Sequence, residues 1–453
     1  MPEKKNNAAS QKREKPSGRA LAFRSLLRTE EEKRFSSLEL DNLIKSEQPD
    51  SRERALYTEL FYGVIRRKLT LDALIRAYSS KPPEKLDPPV AAALRLGLYQ
   101  ILYLDRIPDS AAVSESVELV KKKAKSAASF VNAILRRACR DREADALPLP
   151  SDDGSAESRE VIYSCPAELI RSFEQDYGKE RCTAILEAFT QRPPVTLRVN
   201  SLKTDRDSLL RSLKENGTEA VPNGKYGVTV RGGAVSGLKE LKDGLCYVQN
   251  AASQKAVEAL APKPGEFLID VCAAPGGKSI ASALCMENRG RILSRDLHEN
   301  KLPLIARQAE KLGIGIIAAE ARDASLPDDE NEGRADLVIC DLPCSGYGDC
   351  AGKPETRYKP LAEAERLPEI QYRILCAASG LVRDGGTLMY STCTLRKAEN
   401  EENVLRFASS HPEFRPLDGD GVTVFPRADD PENGGESFAC DGFFYARLQK
   451  VKQ

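Results

Sequence analysis

The sequence predicts a multidomain protein: an all-α front end, a small α+β subdomain, and an α/β domain on a mostly parallel, doubly wound sheet. Three observations carry this. Apolar residues recur at helical spacing through 19–143. Residues 144–160, with Pro148, Pro150, Asp152-Asp153-Gly154 and Ser155, have the composition of a linker. Beyond 265 short apolar runs alternate with helical stretches, the pattern of a parallel sheet covered on both faces.

The 453 residues leave room for about three domains. Residues 1–18 are polar and basic and lack an apolar h-region, which predicts a disordered tail rather than a secretory signal. In 19–143, helices are predicted at 20–27, 55–65, 69–78, 90–104, 111–120 and 127–139, punctuated by Pro82-Pro83 and Pro88-Pro89. The small subdomain, 161–245, reads as helices at 167–176 and 179–188, a strand at 195–200, a helix at 205–215 and a strand at 226–231. A helix opening at Gln249-Asn250-Ala251-Ala252-Ser253 leads into the α/β domain, 246–453. Its strands are predicted at 267–272, 291–296, 314–319, 336–341, 386–392 and 443–448, and its helices at 278–287, 299–312, 361–378 and 397–409.

Composition excludes several classes. No segment approaches the roughly 20 apolar residues of a membrane span. Lys+Arg and Asp+Glu both number 68, so net charge gives no argument for nucleic acid and local clusters must supply one. Such clusters occur at Arg66-Arg67-Lys68, at Lys121-Lys122-Lys123 with Lys125, and at Arg136-Arg137 with Arg140. Each is either a solvated face or a phosphate-contacting surface. The 12 cysteines form no CxxC pair and the only histidines are His298 and His411, so no metal site is expected. Free thiols in a cytoplasmic protein are the expectation.

The chemistry gathers at strand ends of the α/β domain. Phe267-Leu268-Ile269 runs into Asp270-Val271-Cys272-Ala273-Ala274-Pro275-Gly276-Gly277-Lys278-Ser279, a strand, small-residue turn and helix start. That is how a doubly wound sheet opens its cofactor crevice, although the spacing is not GxGxxG. Asp296, ending the second strand, is placed to accept from ribose hydroxyls, or else to cap the next helix. Asp323, after the third, could meet an adenine amino group, or else serve the turn before Pro327. The fourth strand delivers Asp341-Leu342-Pro343-Cys344-Ser345-Gly346 and the fifth Ser391-Thr392-Cys393-Thr394, so two cysteines would face one crevice.

The segments Arg19-Ala20-Leu21-Ala22, Leu60-Phe61-Tyr62-Gly63-Val64, Leu94–Gln100 and Phe130–Arg136 resemble the NusB family, a helical RNA-binding fold. The runs Cys272–Lys278, Pro343–Gly346 and Ser391–Cys393 resemble the motifs of S-adenosylmethionine-dependent RNA cytosine-5 methyltransferases. With Arg198-Val199-Asn200, Gln249, Asn400–Val404 and Asp441-Gly442-Phe443-Phe444, the whole chain resembles the ribosomal RNA small-subunit methyltransferase B (Sun) family. It departs from that pattern at Leu342, Asn250 and Tyr347, where Ala, Asp and a smaller residue are usual.

The resemblance implies a NusB-like domain, a small α+β subdomain and a Rossmann-type methyltransferase domain, with S-adenosylmethionine as cofactor. It implies methyl transfer to C5 of a cytosine in 16S ribosomal RNA. Cys393 would be the nucleophile, Cys344 would assist adduct breakdown, and Asp341 would hold the cytosine N3/N4 edge. Lys278 would stand nearby, helping to lower a thiol pKa. Cofactor contacts would come from Cys272, Ala273, Ala274, Pro275, Gly276, Gly277, Lys278, Asp296, Asp323 and Asp341. Ribosomal RNA, bound through the basic clusters, would be the partner, with no membrane and no obligate protein partner. Rival readings are a transfer RNA methyltransferase, an idle RNA-binding assembly factor, and a nicotinamide-dependent oxidoreductase. Missing GxGxxG spacing and the paired cysteines oppose the last.

Overall fold

The computed structural model describes residues 16–32, 36–231, 235–427 and 439–452, so most of the tail expected at 1–18 lies outside the described residues. The chain divides into two compact units between Ser164 and Cys165.

The first unit is all helical: Gly18–Glu32, Ser36–Glu47, Ser51–Arg66, Lys68–Tyr78, Pro88–Tyr103, Asp109–Lys121, Ala128–Glu143 and Ala156–Tyr163. Its centre is Pro88–Tyr103, which starts on prolines in its first turn and is buried from Val90 to Ile101. Arg95, inside that helix, is tolerated because Nε and Nη2 bind both oxygens of Asp72 at 2.7 and 3.1 Å. A Cβ on Gly63 would stand 2.1 Å from the Tyr99 ring. Gly63→Ala is therefore expected to destabilise this unit by about 1–3 kcal/mol, read as a lower denaturation midpoint.

Two expectations change here. Helix Ser36–Glu47 was not predicted. The linker expected at 144–160 ends in helix Ala156–Tyr163, capped by Ser155, whose Oγ accepts from Ser158 N at 3.1 Å. Thr70 Oγ1 donates to Val161 O at 2.6 Å, and Leu69 N to Ser164 Oγ at 2.9 Å, docking this helix onto Lys68–Tyr78. Polar, Pro-containing composition described 147–154 but not the capped turn that follows.

The second unit opens with the two expected helices, which run together as Ala167–Thr190 and are broken at Gly178 (φ 75°). Strands β1 (Val195–Val199), β2 (Ala220–Asn223), β3 (Gly227–Val230) and β4 (Cys246–Val248) form an antiparallel sheet in the order β2-β3-β1-β4. β2 and β4 are too short to show a period, and β4 carries this sheet past 245.

The large sheet comprises β5 (Phe267–Asp270), β6 (Arg291–Asp296), β7 (Ile317–Ala321), β8 (Ala335–Asp341), β9 (Val382–Thr392), β10 (Phe414–Pro416), β11 (Val422–Val424) and β12 (Phe443–Lys450). The order is β10-β12-β9-β8-β5-β6-β7, with β11 beside β12. β5 to β9 are mutually parallel and β12 is antiparallel to β9. From β5 the chain proceeds outward through β6 and β7, then returns to β8 on the other side. The order reverses between β5 and β8, and ligand crevices lie at the carboxyl ends of strands at such a point. Asp270 and Asp341 end those two strands. The helix expected at 361–378 is two, Leu361–Ala364 and Leu367–Ser379, with Pro368 in the first turn of the second. No described helix is long and apolar enough to cross a membrane.

Candidate active site

The loop after β5 is held by backbone bonds: Val271 N to Ile339 O at 3.0 Å, Ala273 N to Arg295 O at 2.6 Å and Gly276 N to Ala273 O at 2.6 Å. The Ala274–Pro275 peptide is cis. Gly276 has φ +104°, a conformation open to glycine, and starts helix Gly277–Cys285. Nothing lies within 3.4 Å of a Cβ built on Gly277, so backbone here can approach a ligand. From the small subdomain, Gln249 Nε2 donates to Gly277 O at 3.0 Å, and Tyr247 Oη donates to Gln249 Oε1 at 2.9 Å.

The crevice is acidic. Burial, then the charges of Asp270, Asp341 and Asp296, push the Cys272 thiol up, which places all three carboxylates around one residue. Asp270 is fully buried, accepts from Ser279 Oγ at 2.7 Å, and is pushed up to about 7 by desolvation and by Asp341. This negative surface and open glycine backbone fit a cofactor with a cationic sulfonium better than a pyrophosphate. Asp296 stands nearly buried at the end of β6; its Oδ1 accepts from His298 N at 3.0 Å and lies 3.4 Å from Lys301 Nζ. Asp323 spends Oδ1 on Ser325, from N at 2.9 Å and Oγ at 2.7 Å, and these bonds lower its pKa. Its turn role is thus realised, and no contact joins it to the catalytic candidates among the described residues.

Asp341, Lys278, Cys344 and Cys393 come together. Lys278 Nζ is 2.6 Å from Asp341 Oδ2, 3.2 Å from Ser253 Oγ and 4.9 Å from the Phe443 ring centre. Ser391 Oγ donates to Asp341 Oδ1 at 2.9 Å. Cys344 and Cys393 face each other with sulfurs 3.3 Å apart. The bond from the Cys344 thiol lowers the Cys393 pKa against desolvation and the charges of Asp341 and Asp349, with Lys353 helping. Cys344 is correspondingly raised: it keeps the proton it donates.

Sequence reading missed Asp349 and Lys353 behind this pair and gave Asp441 no role. Lys353 is an ammonium whose charge helps Cys393 ionise; burial opposes its charge, and Asp349, 2.7 Å away, overrides burial. The only sequence signal was the i,i+4 pairing of Asp349 and Lys353. Asp441 is pushed up to about 8 by burial and by Asp349, and it accepts from Asn250 Nδ2. Asn250 also caps helix Ala251–Leu260. Gly348 and Gly442 bring these loops into backbone contact: Gly348 N donates to Cys393 O and Gly442 N to Gly348 O, both at 2.9 Å. Tyr347 is buried with its hydroxyl on Lys359 O at 3.2 Å.

Residues 16–140 match the NusB family, 165–234 the ferredoxin-like domain of RsmF/B-like methyltransferases, and 257–449 the 16S rRNA methyltransferase RsmB/F family. The probable ribosomal RNA small subunit methyltransferase B of Bacillus subtilis (strain 168) is 37% identical over 450 residues, 96% of this chain and 99% of its own length. The crystal structure of PH0851 superposes with a TM-score of 0.77 at 24% identity, covering 96% of this chain and 99% of that one. NSun6 from Pyrococcus horikoshii, solved with SFG, gives 0.54 at 23% identity over 64% of this chain and 99% of its own. At 37% identity across nearly its whole length, this chain belongs to the ribosomal RNA small subunit methyltransferase B family.

Proposed function

We propose that this methyltransferase modifies C5 of one cytosine in 16S ribosomal RNA through a covalent bond between Cys393 and C6. The observation that carries this reading is the thiol pair, 3.3 Å apart and unequal in acidity, beside the Lys278–Asp341 pair. The cofactor of this family, S-adenosylmethionine, supplies an electrophilic methyl when bound. Cytosine C5 is a poor nucleophile, and a thiolate added at C6 gives it enamine character. Cys393 is the sulfur favoured as thiolate. Asp341, oriented by Ser391 and Lys278, binds the N3/N4 edge and supplies or shares the proton that N3 takes up as thiolate addition at C6 makes the ring anionic. After methylation the C5 proton passes to solvent water, the C5–C6 double bond re-forms, and the C6–S electron pair returns to Cys393. Cys344, carrying the thiol proton, hydrogen-bonds that departing thiolate.

The Cys272–Lys278 loop holds the methionine portion, Asp296 the ribose and Asp323 the adenine. A base in a helix cannot enter this crevice, so the target is unstacked or flipped out. Of the three basic clusters, Lys121-Lys122-Lys123 with Lys125, and Arg136-Arg137 with Arg140, stand exposed as phosphate contacts. Arg66-Arg67-Lys68 is absorbed by packing at a helix junction: Arg66 is buried, Arg67 lies 4.9 Å over Tyr103 and Lys68 faces Glu30 at 3.9 Å.

The test is methyl transfer from labelled S-adenosylmethionine to small-subunit RNA from a strain lacking the gene, as deproteinised RNA and as partial particles. Labelled 5-methylcytosine at one position is expected. Label on transfer RNA alone would discard the ribosomal substrate. A different labelled nucleoside would discard the cytosine chemistry.

A further inference from the structure

The peptides on either side of Cys344 are pinned by two buried, mutually bonded side chains, Glu399 and Gln371. Glu399 is fully buried, and its Oε2 accepts from Ser345 N at 2.9 Å and from Gln371 Nε2 at 3.0 Å. The same Gln371 Nε2 donates to Pro343 O at 3.0 Å. Ser345 Oγ and Thr394 Oγ1 stand 2.7 Å apart, tying the Cys344 run to the Cys393 run. Arg396 Nη1 faces the other Glu399 oxygen at 3.7 Å and balances its charge. Burying a carboxylate is costly even when it is paired, and this one holds the backbone after Cys344 directly and the backbone before it through Gln371.

We propose that Glu399 is a positioning residue for Cys344: through Ser345 and Gln371 it fixes the loop so that the Cys344 thiol stays directed at Cys393. The inference rests on the covalent reading above and adds a residue that touches neither substrate nor cofactor. Its physical content is geometric. A thiol hydrogen bond weakens steeply with misalignment, and a loop left free to relax would withdraw the donor from the departing Cys393 thiolate. An anion close to Cys344 also disfavours loss of its proton.

The experiment uses the full chain with cofactor and substrate RNA, and measures first-turnover methyl transfer and RNA release separately. Glu399→Ala is expected to slow release about tenfold more than it slows the first transfer, with a denaturation-resistant protein–RNA complex accumulating. Glu399→Gln keeps an acceptor for Ser345 N and is expected to restore release to within about three-fold. Gln371→Met keeps the carboxylate but frees Pro343, shifts the same ratio, and decides the matter if Glu399→Ala does not fold. Parallel loss of transfer and release in these variants, without a trapped complex, would overturn the proposal and leave a merely structural carboxylate. Failure of the underlying reading is separately visible: wild-type protein would form no covalent complex with 5-fluorocytosine-containing RNA.

Discussion

Cys393→Ala is expected to lower methyl transfer to RNA by roughly four orders of magnitude or more, with no covalent complex at any stage. The sulfur is the only group at this position that can add to C6, and without addition C5 stays unreactive. Cofactor affinity is expected to change little, because Cys393 follows β9 and makes no bond to the Cys272–Lys278 loop among the described residues. Cys393→Ser is expected to fare no better: a hydroxyl is far less acidic than a thiol, and the hydrogen bond from Cys344 cannot close that gap. Single-turnover transfer with labelled cofactor, beside equilibrium binding of the cofactor, checks both parts. Turnover near the wild-type rate in Cys393→Ala would remove the nucleophile assignment.

Cys344→Ala is expected to fail at the opposite end of the reaction. Addition and methylation proceed, the departing thiolate loses its donor, and protein is trapped on RNA as a denaturation-resistant complex. Multiple turnover should fall by about two to three orders of magnitude while the first transfer falls far less. The same substitution has a pH signature. Lowering of the Cys393 pKa is owed first to the Cys344 bond, so deleting it moves the Cys393 pKa upward. A higher pKa means less thiolate at neutral pH. The alkylation rate of Cys393 in the free protein is therefore expected to fall there, with its pH midpoint displaced to the alkaline side. The remaining charges acting on Cys393 include Asp341, Asp349 and Lys353, and these are unchanged in the variant. An alkylation profile matching wild type would show that the two sulfurs do not share a proton.

Much of this was legible in the chain before folding. Helical periodicity found six of the eight α-helices among the described residues of the first unit, and strand–helix alternation found the parallel core of the second. Local regularity was missing where reading failed. Helix Ser36–Glu47 carries few apolar residues, and the short strands β2, β4, β10 and β11 have no period to detect. Their place is set by neighbours, such as β10 and β11 pairing with β12.

The active-site candidates divide in the same way. Strand ends marked Asp341, Cys344 and Cys393 because side chains at the carboxyl ends of parallel strands converge whatever lies between them in sequence. The sequence by itself therefore determined the family, the fold class and the convergence of Asp341, Cys344 and Cys393. Only the tertiary structure decided what surrounds them: that the two sulfurs stand 3.3 Å apart, that Lys278 pairs with Asp341 while Lys353 pairs with Asp349, and that Glu399 holds Ser345 N from 54 residues away. Acidity and alignment depend on distances of a few ångströms between groups far apart in the chain, and no local pattern encodes those distances.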